Sequence, residues 1–458
     1  MKLVVLGGGP TGIAVIHELL LNGTRPCDIT LIESSDTGSH PKKIPIPKSN
    51  SNSILGTVLR ERQNKGLGKN GQNLSTEGSP IQSPSKNWGV SCFPPLGWAI
   101  GSEVFSSDEV KNSYSSVSVE WQIQAEDIPN KDFELSGEIL GKLKRKQLSI
   151  DFVNRGFGYH SRLAITTSST SVSIGCQLNS NCFEGCPNSA PWDPDRERLL
   201  LKNKYPEINI CHQKIIGISI NDQVVSGTKH NHKYDKLFLG IGAVQTRELL
   251  APLFSKRIVL ENSPVVIVPL ITKKIAPDED YSKSFLFTDL VVPVIRGNKV
   301  SNLLQIYLPT SEITGRVITQ LPRFLHRLLA KEFLGVFEFV FRRIGIGMIF
   351  LESTSTKIDE LDKNMVRAVI QQYRSLLQNS GIILLPFFKK FLLNGASYHL
   401  GAIHFEGEKL RGIDSQLFKN LAEHNVFITD TSALPFLPPG PYTSTAAALA
   451  KLIVKREM

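Results

Sequence analysis

The sequence predicts an α/β fold in which a Rossmann-like domain is assembled from the N- and C-terminal segments, with an α+β domain of antiparallel sheet plus helices between them. Three observations lead there. The run Leu3-Val4-Val5-Leu6 enters Gly7-Gly8-Gly9-Pro10-Thr11-Gly12 and then an apolar helical pattern. Residues 260–310 alternate in the manner of antiparallel strands. The chain closes on a second buried strand, Val426-Phe427-Ile428, followed by Asp430 and an alanine-rich helix.

Gly7, Gly9 and Gly12 give G-x-G-x-x-G between a strand and a helix, where the motif has a mechanism: a tight turn, close backbone approach to a pyrophosphate and close helix packing. Pro10 and Thr11 open that helix, whose N-terminal N–H groups and positive dipole end suit phosphates. The next strand, Asp28-Ile29-Thr30-Leu31-Ile32, ends at Glu33. This is the place, about 20 residues on, where a carboxylate hydrogen-bonds a ribose hydroxyl. Strand, glycines, helix, strand and acid in this order predict a dinucleotide site, and Glu33 alone leaves NAD and FAD open. Residues 34–86, rich in Ser, Asn, Gly, Lys and Pro, read as a flexible insertion. Residues 147–255 return to strands, including Ile208-Asn209-Ile210, the run 215–220 and Gln223-Val224-Val225. The run 236–243 is a buried strand entering a glycine turn at Gly242 and Ala243, with a helix from Gln245 onward. Residues 320–380 read as largely helical, and the C-terminal segment returns to the first domain. The expected division is 1–255 with 395–458 for the cofactor and 256–394 for the substrate.

Composition narrows the class. The 458 residues are 41% hydrophobic and 21% charged, ordinary for a globular chain with room for two or three domains. The net charge of +10 is dispersed; the densest basic run, 142–146, reads as a solvated helix face, and no nucleic-acid partner is expected. Three glycines and a proline interrupt the apolar N-terminus, against a signal peptide. No apolar run reaches the roughly 18 residues of a membrane span, so the expected location is cytoplasmic. The aromatic, basic, amphipathic stretch 321–350 suits either a packed substrate-domain helix, the favoured reading, or a peripheral membrane contact. Six cysteines argue no disulfide framework. Cys176, Cys182 and Cys186 lack the four-ligand spacing of zinc or iron–sulfur sites; they read as packing or a redox-sensitive pair, and no metal is assigned.

With these pieces in order, the chain resembles the glucose-methanol-choline (GMC) family of FAD oxidoreductases. The resemblance rests on the Gly7 to Gly12 turn with Glu33, and on Ser85-Lys86-Asn87-Trp88-Gly89 and Gly97-Trp98-Ala99-Ile100 as flavin-side islands. It extends to Leu239-Gly240-Ile241-Gly242-Ala243, to Tyr398-His399-Leu400-Gly401, whose form is closest to pyranose oxidases and bacterial members, and to 426–435 with Gly440-Pro441-Tyr442-Thr443. It implies an FAD-binding, Rossmann-like domain built from both chain ends. Trp88, Gly89, Gly242, Ala243, Asp430, Pro441, Tyr442 and Thr443 would then face the cofactor, with His399 as the base that takes the hydroxyl proton of an alcohol while hydride leaves for flavin N5. A histidine, with an unperturbed pKa of about 6.5, suits that task. His404 is the candidate second polar group, or a strand residue packed in the core. Two departures stand out: Gly440 replaces the family's Asn beside the catalytic histidine, and the usual Gly-Gly before the flavin-loop Ser is absent. The implied substrate is a small-molecule alcohol, a sugar or polysaccharide precursor among the candidates, with the electron acceptor open. The alternatives are a desaturase or isomerase acting on a hydrophobic or lipid-linked ring, and a non-catalytic flavin-binding protein.

Overall fold

The computed structural model describes residues 1–33, 105–124, 192–275, 290–296, 299–309, 342–352, 362–386 and 400–458, with short pieces at 91–92, 159–160, 162–164 and 389–390 and single residues 139, 142 and 340. The 34–86 insertion, the islands around Trp88, Gly89 and Trp98, the basic run beyond Lys142, the three clustered cysteines, the stretch 321–339 and His399 lie outside the described residues.

The described chain runs through β1 (Leu3–Leu6), α1 (Pro10–Leu21), β2 (Ile29–Glu33), α2 (Ser107–Glu120), α3 (Pro194–Lys204), β3 (Asn209–His212), β4 (Lys236–Leu239) and α4 (Ala243–Leu250). It continues through β5 (Ile258–Asn262), β6 (Val265–Thr272), β7 (Leu290–Arg296), β8 (Lys299–Tyr307), β9 (Ile344–Leu351) and α5 (Lys363–Leu377). It ends with β10 (Leu400–Phe405), α6 (Gln416–Ala422), β11 (Val426–Ile428) and α7 (Thr443–Glu457). One five-stranded sheet has the order β11-β4-β1-β2-β3, and every neighbouring pair in it is parallel. Counted along the chain, those strands stand in the order 5-4-1-2-3, the doubly wound arrangement. Its strand order reverses beside β1, and such reversals open a crevice at the carboxyl ends. Leu3 to Leu6 are all buried, as strands covered on both faces must be.

Helix α7 packs against both α1 and α2. The run from Ala446 to Ala450 is buried and mostly alanine, so α7 can approach its neighbours closely. One long polar side chain stands among them. Lys451 is 2% exposed and places its ammonium 2.6 Å from Glu120 Oε1 and 3.3 Å from Glu18 Oε2. Lys451 and Glu18 are each the ninth residue of their helix, so the ion pair joins α1 and α7 at the same number of residues from their N-termini. Tyr114 donates to Thr445 Oγ1 at 2.5 Å and Ser113 to the Ala448 carbonyl at 2.6 Å, which fixes α2 along α7.

The second sheet is antiparallel, in the order 382–384, β6, β9, β8, β7 and 159–160. Helix α5 lays Val366, Ile370, Tyr373 and Leu377 on it, in a core cluster separate from that of the parallel sheet. The sequence reading of 320–380 as largely helical is corrected here. Helix α5 occupies its end, but 344–351 is the strand between β6 and β8. The cause is the period-two alternation Ile344-Gly345-Ile346-Gly347. A Cβ on Gly345 would stand 2.4 Å from the Tyr307 carbonyl oxygen, so close strand packing dictates the glycine. Helix α3 likewise interrupts the stretch 147–255 that the sequence reading assigned to strands. Among the described residues no helix is long and apolar enough to cross a membrane.

Burial alone would raise the Glu120 carboxyl, but the His17 hydrogen bond and the Lys451 charge together hold it below its ordinary 4.5. A depressed carboxylate contributes stability above its unfolded pKa and loses it as pH falls through the folded one. Replacing Lys451 by Ala should lower the unfolding free energy at pH 7 by about 1–3 kcal/mol, because it leaves the half-buried carboxylates of Glu18 and Glu120 without the ammonium between them. Urea unfolding should also show a weaker loss of stability below pH 4.5 in this variant than in the parent. Equal acid profiles for the two proteins would remove the ion pair from the account.

Candidate functional site

The site is built at the carboxyl edge of the parallel sheet. Gly7, with φ +93°, turns the chain out of β1, and its N–H donates to the Ile32 carbonyl at 2.8 Å. A Cβ on Gly12 would lie 1.8 Å from the Gly7 oxygen, and one on Gly7 2.4 Å from the Gly240 oxygen. The turn, the start of α1 and the end of β4 therefore meet backbone to backbone. Gly9 differs. A Cβ there would meet nothing within 4 Å, so this glycine faces open space.

Helix α1 starts from Gly9 with Pro10 in its first turn and no side-chain cap. The same holds at Gly242 before α4 and at Tyr442 before α7. By contrast, Ser106, Asp193, Asp362 and Ser415 cap α2, α3, α5 and α6 with their side chains. Among the described α-helices, the uncapped ones are those that follow β1, β4 and β11, at the edge where the strand order reverses. Orphan N–H groups and aligned dipoles make such ends receptive to anions.

Asp430, 3% exposed, closes this edge from the C-terminal segment. Its Oδ2 accepts from the Gly242 N–H at 2.9 Å and the Thr246 hydroxyl at 2.6 Å, and its Oδ1 from the Ser432 N–H at 2.8 Å. Burial pushes its carboxyl up, and these three donors counter only part of that. Asp430 thus ties β11 to the start of α4. Two buried hydroxyl oxygens nearby in the chain, those of Thr429 and Ser444, have no hydrogen-bond partner among the described residues. Buried polar atoms are rarely left so, and their position suits a polar ligand. The open Gly9, the uncapped helices and these hydroxyls fit the dinucleotide that the sequence predicts.

At the other end of the edge, Glu33 is held. Its Oε2 accepts the Gly8 N–H and lies 3.0 Å from Arg198 Nη1. Arg198 escaped the sequence reading, although Asp193-Pro194 at a helix start, with Asp195 and Glu197 in the first turn, was a local signal for α3.

Leu400, the residue after His399, accepts a hydrogen bond from Thr431 Oγ1 at 2.8 Å. A Cβ on Gly401 would stand 2.4 Å from the Thr431 oxygen, so β10 lies directly on the turn after Asp430. His404 is buried further along β10, with Nδ1 3.0 Å from the Ala402 carbonyl and Nε2 3.9 Å from Glu261 Oε1. Arg411 Nε is 2.8 Å from that same carboxylate oxygen but lacks hydrogen-bond alignment. Among the described residues no group of three or more His, Cys, Asp or Glu side chains is placed to hold a metal ion.

No protein-family model matches the chain, and no curated protein matches it in sequence. In structure it is similar to the crystal structure of pyridoxine 4-oxidase from Mesorbium loti, with 11% sequence identity and a TM-score of 0.53 over 99% of this chain and 98% of that one. The α/β architecture, one parallel sheet with separate antiparallel sheets, is a fold shared with that oxidase over its whole length.

Gly9 and Gly12 separate the site from the scaffold. Gly12→Ala should destabilise the protein by at least about 1–3 kcal/mol, because a backbone oxygen blocks the new methyl group. Gly9→Ala, at φ −73° and in open space, should leave thermal unfolding within a degree or two of the parent while reducing FAD uptake. Full FAD uptake by Gly9→Ala would move the nucleotide away from this turn.

Proposed function

We propose that this chain is an FAD-dependent oxidoreductase that oxidises a CH–OH group, with His399 as the base. The observation that carries the reading is the convergence of three uncapped helix ends, an open glycine and two buried hydroxyls without a partner among the described residues at one edge of the doubly wound sheet. Full-length likeness in fold to an enzyme named as an oxidase of pyridoxine, itself an alcohol, supports the same class.

Bound at this edge, the flavin would supply the acceptor for a hydride leaving the substrate carbon. Gly7, Gly9, Pro10, Thr11 and Gly12 would receive the diphosphate through backbone N–H groups, and Glu33 the ribose. Gly242, Ala243, Pro441, Tyr442 and Thr443, with Trp88 and Gly89, would line the flavin side. Asp430 would act mainly by holding Gly242 and the α4 N-terminus in place. The positive end of α7 at Thr443 would favour negative charge beside it.

His399 would take the hydroxyl proton at a ring nitrogen as the C–H bond breaks. Its support is the Tyr398-His399-Leu400-Gly401 motif and the attachment of Leu400 to the turn after Asp430. Gly440, at φ +140°, occupies a backbone conformation that asparagine rarely adopts. The substrate hydroxyl must therefore find its second partner elsewhere, and this favours a second reading, a flavoprotein of desaturase or isomerase type acting on a hydrophobic ring.

The purified protein should be yellow, and an anaerobic panel of sugar, aliphatic and ring alcohols should contain a donor that bleaches it. His399→Ala should keep the colour and reduce the bleaching rate by about 100-fold or more, the scale of general-base catalysis. Reduction by ring compounds without a hydroxyl would favour the second reading. A bound flavin that no donor reduces would point to a protein that binds without catalysis.

A further inference from the structure

Arg198 is 5% exposed, and its guanidinium serves two acids from one helix. Nη1 lies 3.0 Å from Glu33 Oε2, and Nη2 is bonded to Asp195 Oδ1. The side chain also crosses the glycine turn: a Cβ on Gly8 would lie 2.6 Å from Nη1 and 2.7 Å from Cδ. The Gly8 N–H donates to the same Glu33 oxygen. Turn, strand end and α3 are thus joined at a single carboxylate oxygen.

Stability alone is a poor reason for this arrangement. A buried ion pair seldom outperforms an apolar residue of similar volume, and Leu201 shows that α3 packs its inner face by ordinary means. The location supplies a better one. Glu33 stands beside a turn suited to a diphosphate, where an uncompensated carboxylate would repel the ligand. Arg198, shared with Asp195, offsets part of that charge and fixes the plane of the Glu33 carboxylate.

We propose that Arg198 is a positioning residue of the nucleotide site, acting through Glu33 to present its carboxylate to the ribose of an adenosine diphosphate moiety. The proposal rests on the nucleotide half of the functional reading and not on flavin chemistry. ADP, which carries only that half, is therefore the probe.

Calorimetric titration of the full chain with ADP should give an affinity that falls about tenfold or more in Arg198→Gln, the scale of one charge-assisted hydrogen bond. Arg198→Lys should recover part of the loss. In the Glu33→Gln background, Arg198→Gln should cost little more, because a residue acting through Glu33 has nothing left to position. Ligand-free thermal unfolding reports whether each variant is folded, and Arg198→Lys carries the test if Arg198→Gln is not. Unchanged ADP affinity in the folded variants overturns the proposal, as do losses that add fully in the double variant. ADP binding without FAD binding would end the flavin reading and leave this one standing. FAD binding with Arg198 variants equal to the parent would do the reverse, and a chain that binds neither would end both.

Discussion

The structure depends on a place where three stretches of backbone touch with no side chain between them. Gly7, Gly12 and Gly240 come from the end of β1, the first turn of α1 and the end of β4, and a methyl group on Gly12 would stand 1.8 Å from the Gly7 oxygen. That contact sets how closely α1 lies on the sheet and aims its N-terminus at the edge where the strand order reverses. Gly9, in the same turn, has no such constraint from the protein. One glycine motif therefore divides into residues required by the fold and one whose missing side chain serves only what approaches from outside.

A second constraint brings the chain ends together. Strand β11 pairs with β4 in parallel, and α7 runs beside α1 with Lys451 between Glu18 and Glu120. Alanines allow the close approach, but small apolar faces slide past one another at little energetic cost. A buried cation with two fixed acids does not, because displacement by one turn would leave charge unpaired in a low-dielectric layer. The ion cluster thus specifies the register of α7, and with it the level at which Thr443 presents the helix end.

Contiguous patterns explain what was legible from sequence. The Gly7 to Gly12 turn, Glu33, β4 with its glycine turn and the C-terminal strand each announce themselves within about ten residues, because local conformation and burial alone dictate them. Helices α2 and α3 carry weak apolar periodicity, so only their first turns, Ser106 with Glu109 and Asp193 with Pro194, marked them. Strand β9 was hidden by the basic aromatic residues before it, which suggested a helix that the Ile and Gly alternation contradicts. The pairing of Arg198 with Glu33 and the three donors on Asp430 are products of tertiary approach. Neither leaves a trace in local sequence.

The treatment of helix ends argues for where function lies. Four helices of this chain satisfy their first turns with Ser106, Asp193, Asp362 or Ser415, so the sequence applies the ordinary remedy where packing alone matters. A serine or aspartate cap is worth about 1 kcal/mol, and its Cβ at Gly9 would meet no atom within 4 Å. Its omission from α1, α4 and α7 is then not forced by crowding at the first of these ends. Where a ligand is to supply the acceptor, a side-chain cap would compete with it, and an aspartate would repel a phosphate outright. Stability of the scaffold and affinity for an anion make opposite demands on the residue before each helix, and the three uncapped ends at the carboxyl edge of this sheet suit the second.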